Sequence, residues 1–256
     1  MAYIEITDLH KTYSDATSAP VVALDGVSLS VDKGEFVSIF GPNGCGKSTL
    51  LNAVADLAPY DSGTIEIDGK PASEARTGFV FQRYSESLFP WLKNIDNICF
   101  GLDFLRLGKR GARRHALEFL DRIGLKELPL DKYPYQCSAG QQQLVALARE
   151  LVCEPDVLLM DEPFVSLDYE RRLAQHKYLL QTLAKTRTTV LFVSHEIDEA
   201  IYVADRLVLL SQRPGTVREI YDIPFDRPRQ IELLEDRRFY DFKMPILHAF
   251  REMVSP

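Results

Sequence analysis

Residues 35–49 read Glu35-Phe36-Val37-Ser38-Ile39-Phe40-Gly41-Pro42-Asn43-Gly44-Cys45-Gly46-Lys47-Ser48-Thr49, an apolar strand running into a glycine-rich turn that ends on Lys-Ser-Thr. Leu50 and Leu51 then open a helix. Gly41 followed five positions later by Gly46-Lys47-Ser48, with a strand before and a helix after, is the pattern of a phosphate-binding loop. The glycines let successive backbone N–H groups point into one concavity, where they meet phosphate oxygens. The start of the following helix adds a partial positive charge, Lys47 adds a full one, and the Ser48 hydroxyl is placed to ligate Mg2+.

Such a site needs carboxylates for the metal and the attacking water. Val157-Leu158-Leu159-Met160-Asp161-Glu162-Pro163 supplies them: a buried apolar strand that ends in two acids. At the carboxyl end of a parallel strand they stand where open α/β sheets bind ligands. Asp161 is expected to reach Mg2+ through water, and Glu162 to orient and deprotonate the nucleophilic water.

The rest of the chain fits an α/β protein. Segments 2–9, 21–31, 35–40, 64–67 and 78–81 are rich in Val, Ile and Phe and bounded by Asp-Gly, Lys-Gly and Ser-Gly pairs, so the first eighty residues predict a sheet. From Asn94 to Leu151 the spacing of Ala116, Leu120 and Ile123, and of Leu144, Leu147 and Leu151, predicts a helical lobe. Strands are expected again at 156–160 and 189–194 around a helical run 169–185, then at 206–210 and 216–221. A link with Pro224 and Pro228 leads to a tail expected to be helical after Pro245, with Ile246, Leu247 and Phe250 on one stripe.

The 256 residues carry 30 Lys+Arg against 37 Asp+Glu, a net charge of -7. That acid excess weighs against a broad basic face for nucleic acid or lipid, since phosphate neutralisation supplies most such affinity. No nucleic-acid partner is expected. The apolar runs 190–193 and 207–210 stop far short of the roughly 20 residues of a membrane helix, and Met1–Glu5 shows no export signal. A soluble protein is expected. Cys45, Cys99, Cys137 and Cys153 are scattered, which predicts reduced thiols in a cytosolic setting.

With the loop at Gly41 and the acids at Asp161 and Glu162, the chain resembles the ATP-binding-cassette ATPases over about residues 3–225. The resemblance implies a RecA-like P-loop core with an N-terminal antiparallel β subdomain (1–92 and 153–225), an inserted helical subdomain (93–152) and a helical tail (226–256). ATP and Mg2+ are the implied cofactors. Tyr13 matches the aromatic that stacks on adenine. Phe81-Gln82 matches the glutamine loop that senses Mg2+ and the attacking water. Ser166-Leu167-Asp168 matches the loop that communicates between the two sites of a dimer, and His195 of Val193-Ser194-His195 matches the histidine that contacts the γ-phosphate. The phosphate-loop residues Gly41, Pro42, Asn43, Gly44, Cys45, Gly46, Lys47, Ser48 and Thr49 are the implied nucleotide contacts.

Cys137-Ser138-Ala139-Gly140-Gln141 stands where the family has Leu-Ser-Gly-Gly-Gln, a segment that binds the γ-phosphate held by the opposite subunit. Ser138, Gly140 and Gln141 are retained. Ala139 adds a methyl group, which in a left-handed conformation would cost about 1–2 kcal/mol. Leu144 replaces the family's arginine and removes a positive charge from the first helical turn. Both departures predict slowed turnover at the composite site.

The stretch Gln82 to Leu92, with Phe89-Pro90-Trp91, falls where the family receives a short cytoplasmic helix of the permease; it reads equally as a hydrophobic cluster tying lobe to core. Phe89-Pro90-Trp91 and Ser211-Gln212-Arg213-Pro214-Gly215-Thr216 resemble the nitrate, sulfonate and taurine importer ATPases. That class implies a peripheral protein at the cytoplasmic face of the membrane, paired with a second ATPase subunit (the same or a related one), docked on membrane-spanning permease subunits and fed by an extracytoplasmic binding protein. The alternatives are a soluble cassette ATPase of DNA repair or translation and a weakly hydrolytic partner in a heterodimer.

Overall fold

The computed structural model describes residues 2–14, 19–165 and 168–254. In chain order the strands and α-helices are β1 (Ile4–Tyr13), β2 (Val21–Val31), β3 (Phe36–Phe40), α1 (Lys47–Val54), β4 (Ser62–Ile67), β5 (Lys70–Pro71), β6 (Thr77–Val80), α2 (Tyr84–Ser87), α3 (Asn94–Phe100), α4 (Gly108–Ile123), α5 (Ala139–Leu151), β7 (Val157–Asp161), α6 (Tyr169–Thr186), β8 (Thr189–Val193), α7 (Ile197–Val203), β9 (Arg206–Leu210), β10 (Val217–Asp222) and α8 (Arg237–Val254). They form two compact units, one of residues 1–75 and 189–256, the other of residues 76–188.

In the first unit β2, β1, β4 and β5 make an antiparallel sheet in that order. Ile4 lies opposite both Val31 and Ile67, so its apolar face is shared across three strands. Every residue of β3 and β8 is buried, as parallel strands covered on both faces require. β3 lies between β8 and β9, parallel to each, and β10 runs antiparallel to β9. Ile39 pairs with Val193 and Phe40 with Leu209, so the loops leaving these three strands emerge at one carboxyl end.

α8 begins at Arg237 and runs through Pro245, eight residues earlier than the proline led the sequence to predict. An interior proline loses one backbone bond and costs about 3 kcal/mol. Side chains on both sides of it offset that cost. Phe225 packs on Phe239 at 5.8 Å and on Phe242 at 5.7 Å, while beyond the proline Phe250 meets Phe40 at 5.1 Å and Ile246 is buried.

In the second unit β6 and β7 pair in parallel, with Val80 opposite Met160. The helical stretch resolves into α3, α4 and α5, with 3-10 helices at Gly101–Leu105 and Pro134–Gln136 in the connections. α4 closes on Gly124 in a left-handed conformation, and its Ala116, Leu120 and Ile123 are buried as their spacing predicted.

Candidate functional site

In the first unit the phosphate loop turns between buried β3 and α1 at positions that only glycine fits. Gly46 caps α1 at φ 105°, and a Cβ there would lie 2.7 Å from the Ala23 oxygen. A Cβ on Gly41 would lie 2.9 Å from the carbonyl oxygen of Leu210. The first turn of α1 has no side-chain cap and no acidic residue. Its N–H groups therefore suit an anion.

Lys47 is 5% exposed, and its ammonium donates to the carbonyls of Gly41 and Pro42, each at 2.9 Å. An ammonium has three N–H donors, so the loop fixes the charge with two of them. Pro42 is buried, Asn43, Gly44 and Ser48 are exposed, and Thr49 is half-buried. The Tyr13 hydroxyl donates to Thr49 Oγ1 at 3.4 Å, bringing the ring expected to stack on adenine to the helix that follows the phosphate loop. The Lys11 ammonium lies 5.2 Å from the ring centroid.

Cys45 is fully buried. Burial raises its thiol pKa above the usual 9.0, against the lowering influence of Lys47 and Arg213. A thiol so buried and so weakly acidic is a slow target for alkylating reagents.

His195 leaves β8 at the end where the phosphate loop leaves β3, with Ser194 N donating to Ile39 O at 3.3 Å. Buried Ser194 donates to the carboxylate of buried Glu199, and its oxygen accepts from Glu196 N at 3.0 Å. The backbone that carries exposed His195 is thereby held from both sides.

In the second unit the register of β6 on β7 releases Gln82 and Glu162 side by side. Gln82 Nε2 donates to Glu162 Oε2 at 3.2 Å. Glu162 sits at φ 45°, a left-handed backbone that costs a non-glycine residue about 1–2 kcal/mol. Strain of this kind clusters at functional sites. Asp161 ends β7.

The signature segment opens α5. Ser138 Oγ accepts from Gln141 N at 3.3 Å and Gln141 Oε1 accepts from Ser138 N at 3.1 Å, a reciprocal capping box. The left-handed cost expected at Ala139 does not arise, because Ala139 is the first residue of the helix and has no positive φ. At Gly140 an added Cβ would lie 2.9 Å from Gln175 Nε2, so a side chain there requires the Gln175 amide to move aside.

Two residues that the sequence did not single out tie α5 to the rest of this unit. Buried Gln143 donates to the Pro163 carbonyl at 2.9 Å, next to Glu162, and Arg149 donates to the Ser87 carbonyl at 2.6 Å. Beyond Ser87, the Phe89 ring lies 5.5 Å from Trp91 and 4.5 Å from Phe100. Buried Asn97 holds the Phe89 backbone by accepting from its N–H at 2.8 Å and donating to its carbonyl at 3.1 Å. Trp91 remains 70% exposed. Ser166 and Leu167 lie outside the described residues; Asp168 caps α6, accepting from Arg171 N at 3.0 Å.

Residues 24–165 match the family model described as ABC transporter. The chain belongs to that family. It is an ATP-binding ATPase of the cassette type, with the mixed α/β P-loop fold of that type. A nitrate import ATP-binding protein of Synechocystis sp. is 36% identical over 255 residues, 99% of this chain and 94% of its own length. A bicarbonate transport ATP-binding protein from the same organism is 38% identical over 94% of this chain and 86% of its own. A taurine import ATP-binding protein of Rhizobium johnstonii is 41% identical over 81% and 79%. Among solved structures, a dimeric ATP-binding cassette in a post-hydrolysis state with ADP and Pi superposes with a TM-score of 0.73 at 31% identity, covering 87% of this chain and all of that one. Among the described residues no helix is long and apolar enough to cross a membrane.

Proposed function

We propose that this chain is the ATP-hydrolysing subunit of an importer, working as a pair of cassettes at the cytoplasmic face of a membrane to drive uptake of a small anion or organic solute through separate membrane-spanning subunits. Similarity over 81–99% of the chain to proteins named for nitrate import, bicarbonate transport and taurine import carries the reading. The cargo is recognised elsewhere, on an extracytoplasmic binding protein and the permease.

Lys47 and the first N–H groups of α1 hold the triphosphate, and Tyr13 stacks on the base. The family resemblance implies that Mg2+ would be held by the hydroxyl of Ser48, the carboxylate of Asp161 and the amide oxygen of Gln82, hard oxygen donors of the kind that this ion takes. Bound there, it would offset charge on the β- and γ-phosphate oxygens. Glu162 orients the attacking water and takes its proton. Gln82, donating through nitrogen, fixes the rotamer of that carboxylate. His195 contacts the γ-phosphate. Ser138, Gly140 and Gln141 present the N-terminal end of α5 to the γ-phosphate of the partner cassette.

The segment 82–92 is the proposed permease dock within a core of 1–92 and 153–225, with 93–152 as the helical lobe and 226–256 as the tail. Exposed Trp91, packed against Phe89, which in turn packs against Phe100, has the form of an aromatic anchor. The test is copurification with the permease encoded beside it, followed by ATP-dependent solute uptake in vesicles. Uptake lost on Trp91→Ala while ATP binding persists supports the reading. Failure of every neighbouring permease to copurify would refute it.

A further inference from the structure

The loop joining β9 to β10 lies against the phosphate loop in the first unit, and the family's catalytic roles leave it unused. Arg213 Nε donates to the Gly44 carbonyl at 3.0 Å. A Cβ on Gly44, whose φ is 74°, would lie 3.0 Å from Arg213 Nη2, so the guanidinium lies over that glycine. Two residues on, a Cβ at Gly215 would come within 2.1 Å of the Cys45 carbonyl oxygen.

This loop is itself pinned. Gly215 N donates to Ala23 O and Asp25 N to Gly215 O, each at 3.0 Å, joining it to β2. Ser211 Oγ donates to Pro214 O at 2.8 Å and accepts from Thr216 N at 2.9 Å. Arg213 is therefore presented from a fixed frame to one peptide of the phosphate loop. The Gly44 carbonyl and the Cys45 N–H belong to that same peptide. A cation on the oxygen polarises the N–H, and Cys45 N donates to Pro42 O at 3.3 Å to close the loop's turn.

We propose that Arg213 is a positioning residue that holds and polarises the phosphate loop from behind, tightening the binding of nucleoside di- and triphosphates without touching the reacting atoms. The inference rests on ATP binding at this loop, so the wild-type protein binding no ATP would overturn that reading first and separately. Its lowering influence on the Cys45 thiol accords with a guanidinium beside this peptide.

The test compares ATP, ADP and AMP affinities of the full chain as wild type, Arg213→Gln and Arg213→Lys, AMP by competition against a fluorescent adenosine nucleotide. Because a charged hydrogen bond is lost at an exposed position, ATP and ADP dissociation constants should rise about three- to tenfold in Arg213→Gln. AMP affinity and kcat at saturating ATP should not change, and Arg213→Lys should recover part of the loss. Reaction of Cys45 with a small neutral alkylating reagent at fixed pH should slow in Arg213→Gln, since charge is removed; a loop that had merely loosened would react faster. Unchanged ADP affinity, equal weakening of AMP, faster alkylation or a fall in kcat alone would each overturn the proposal. Should Arg213→Gln not fold, Ser211→Ala, which frees the loop and keeps the arginine, decides it: weaker ADP with unaltered AMP supports the role, and unaltered ADP overturns it.

Discussion

Gln82 and Glu162 are eighty residues apart in sequence and 3.2 Å apart in space, joined by an amide N–H donated to a carboxylate oxygen. The parallel register of β6 on β7 produces this meeting, because Val80 opposite Met160 releases both side chains at the same end. Removing the donor in Gln82→Leu should lower ATP turnover by about ten- to a hundredfold with little effect on ATP affinity, as expected for loss of base orientation. Gln82→Glu should move the acid limb of the pH–rate profile to higher pH, since a second carboxylate beside the base disfavours its charged form. Steady-state phosphate release across pH checks both.

The left-handed backbone at Glu162 predicts a conflict between activity and stability. Glu162→Gly relieves about 1–2 kcal/mol of strain, less the 0.5–1 kcal/mol that glycine's greater unfolded freedom costs. The variant should melt no lower than wild type while losing turnover, as read by thermal unfolding and phosphate release on the same preparation.

Gly46→Ala should fail on two counts. Its φ of 105° is closed to alanine, and the added carbon would stand 2.7 Å from both the Ala23 oxygen and Leu24 Cδ2. A loss of several kcal/mol in denaturant-unfolding stability, together with loss of ATP binding, is the expected outcome.

Two thiols predict an alkaline loss of stability. Burial raises the Cys45 thiol above 9.0, and burial with the nearby Glu150 carboxylate raises Cys153 to about 11. In the unfolded chain both ionise near 9.0, so the folded state holds its protons longer. The contribution is fully present below pH 9 and is lost as pH rises towards 11. A Cys45→Ala, Cys153→Ala variant should show a flatter stability profile over that window by urea unfolding. Alkylation of wild-type Cys45 should still be accelerating at pH 9, and ATP should slow it.

Much of this site was legible in the sequence because its chemistry is local. A strand, a glycine turn and Lys47-Ser48 define the phosphate loop within fifteen residues, and an apolar strand ending in Asp161-Glu162 announces itself by composition. Arg213 was not legible as a loop partner: its contact with Gly44 spans 169 residues and depends on how β9 pairs with β3. Gln143 and Arg149 were hidden for a related reason, since a helix's polar positions do not disclose which of them turn inward. Ala139 misled because the family glycine suggested a special backbone, whereas a helix's first residue accepts alanine freely. Pro245 misled in the opposite sense, its local veto on the helix being outweighed by the aromatic contacts on either side.

In the proposed reaction Glu162 takes the proton of the water that attacks a triphosphate held at the Gly41–Lys47 loop. Phosphate release by the Glu162→Gln variant, with ATP occupancy verified in the same sample, tests it most directly. Nucleotide should bind as tightly as to wild type, and turnover should be lower by at least a hundredfold. Turnover at the wild-type rate would contradict this role of Glu162.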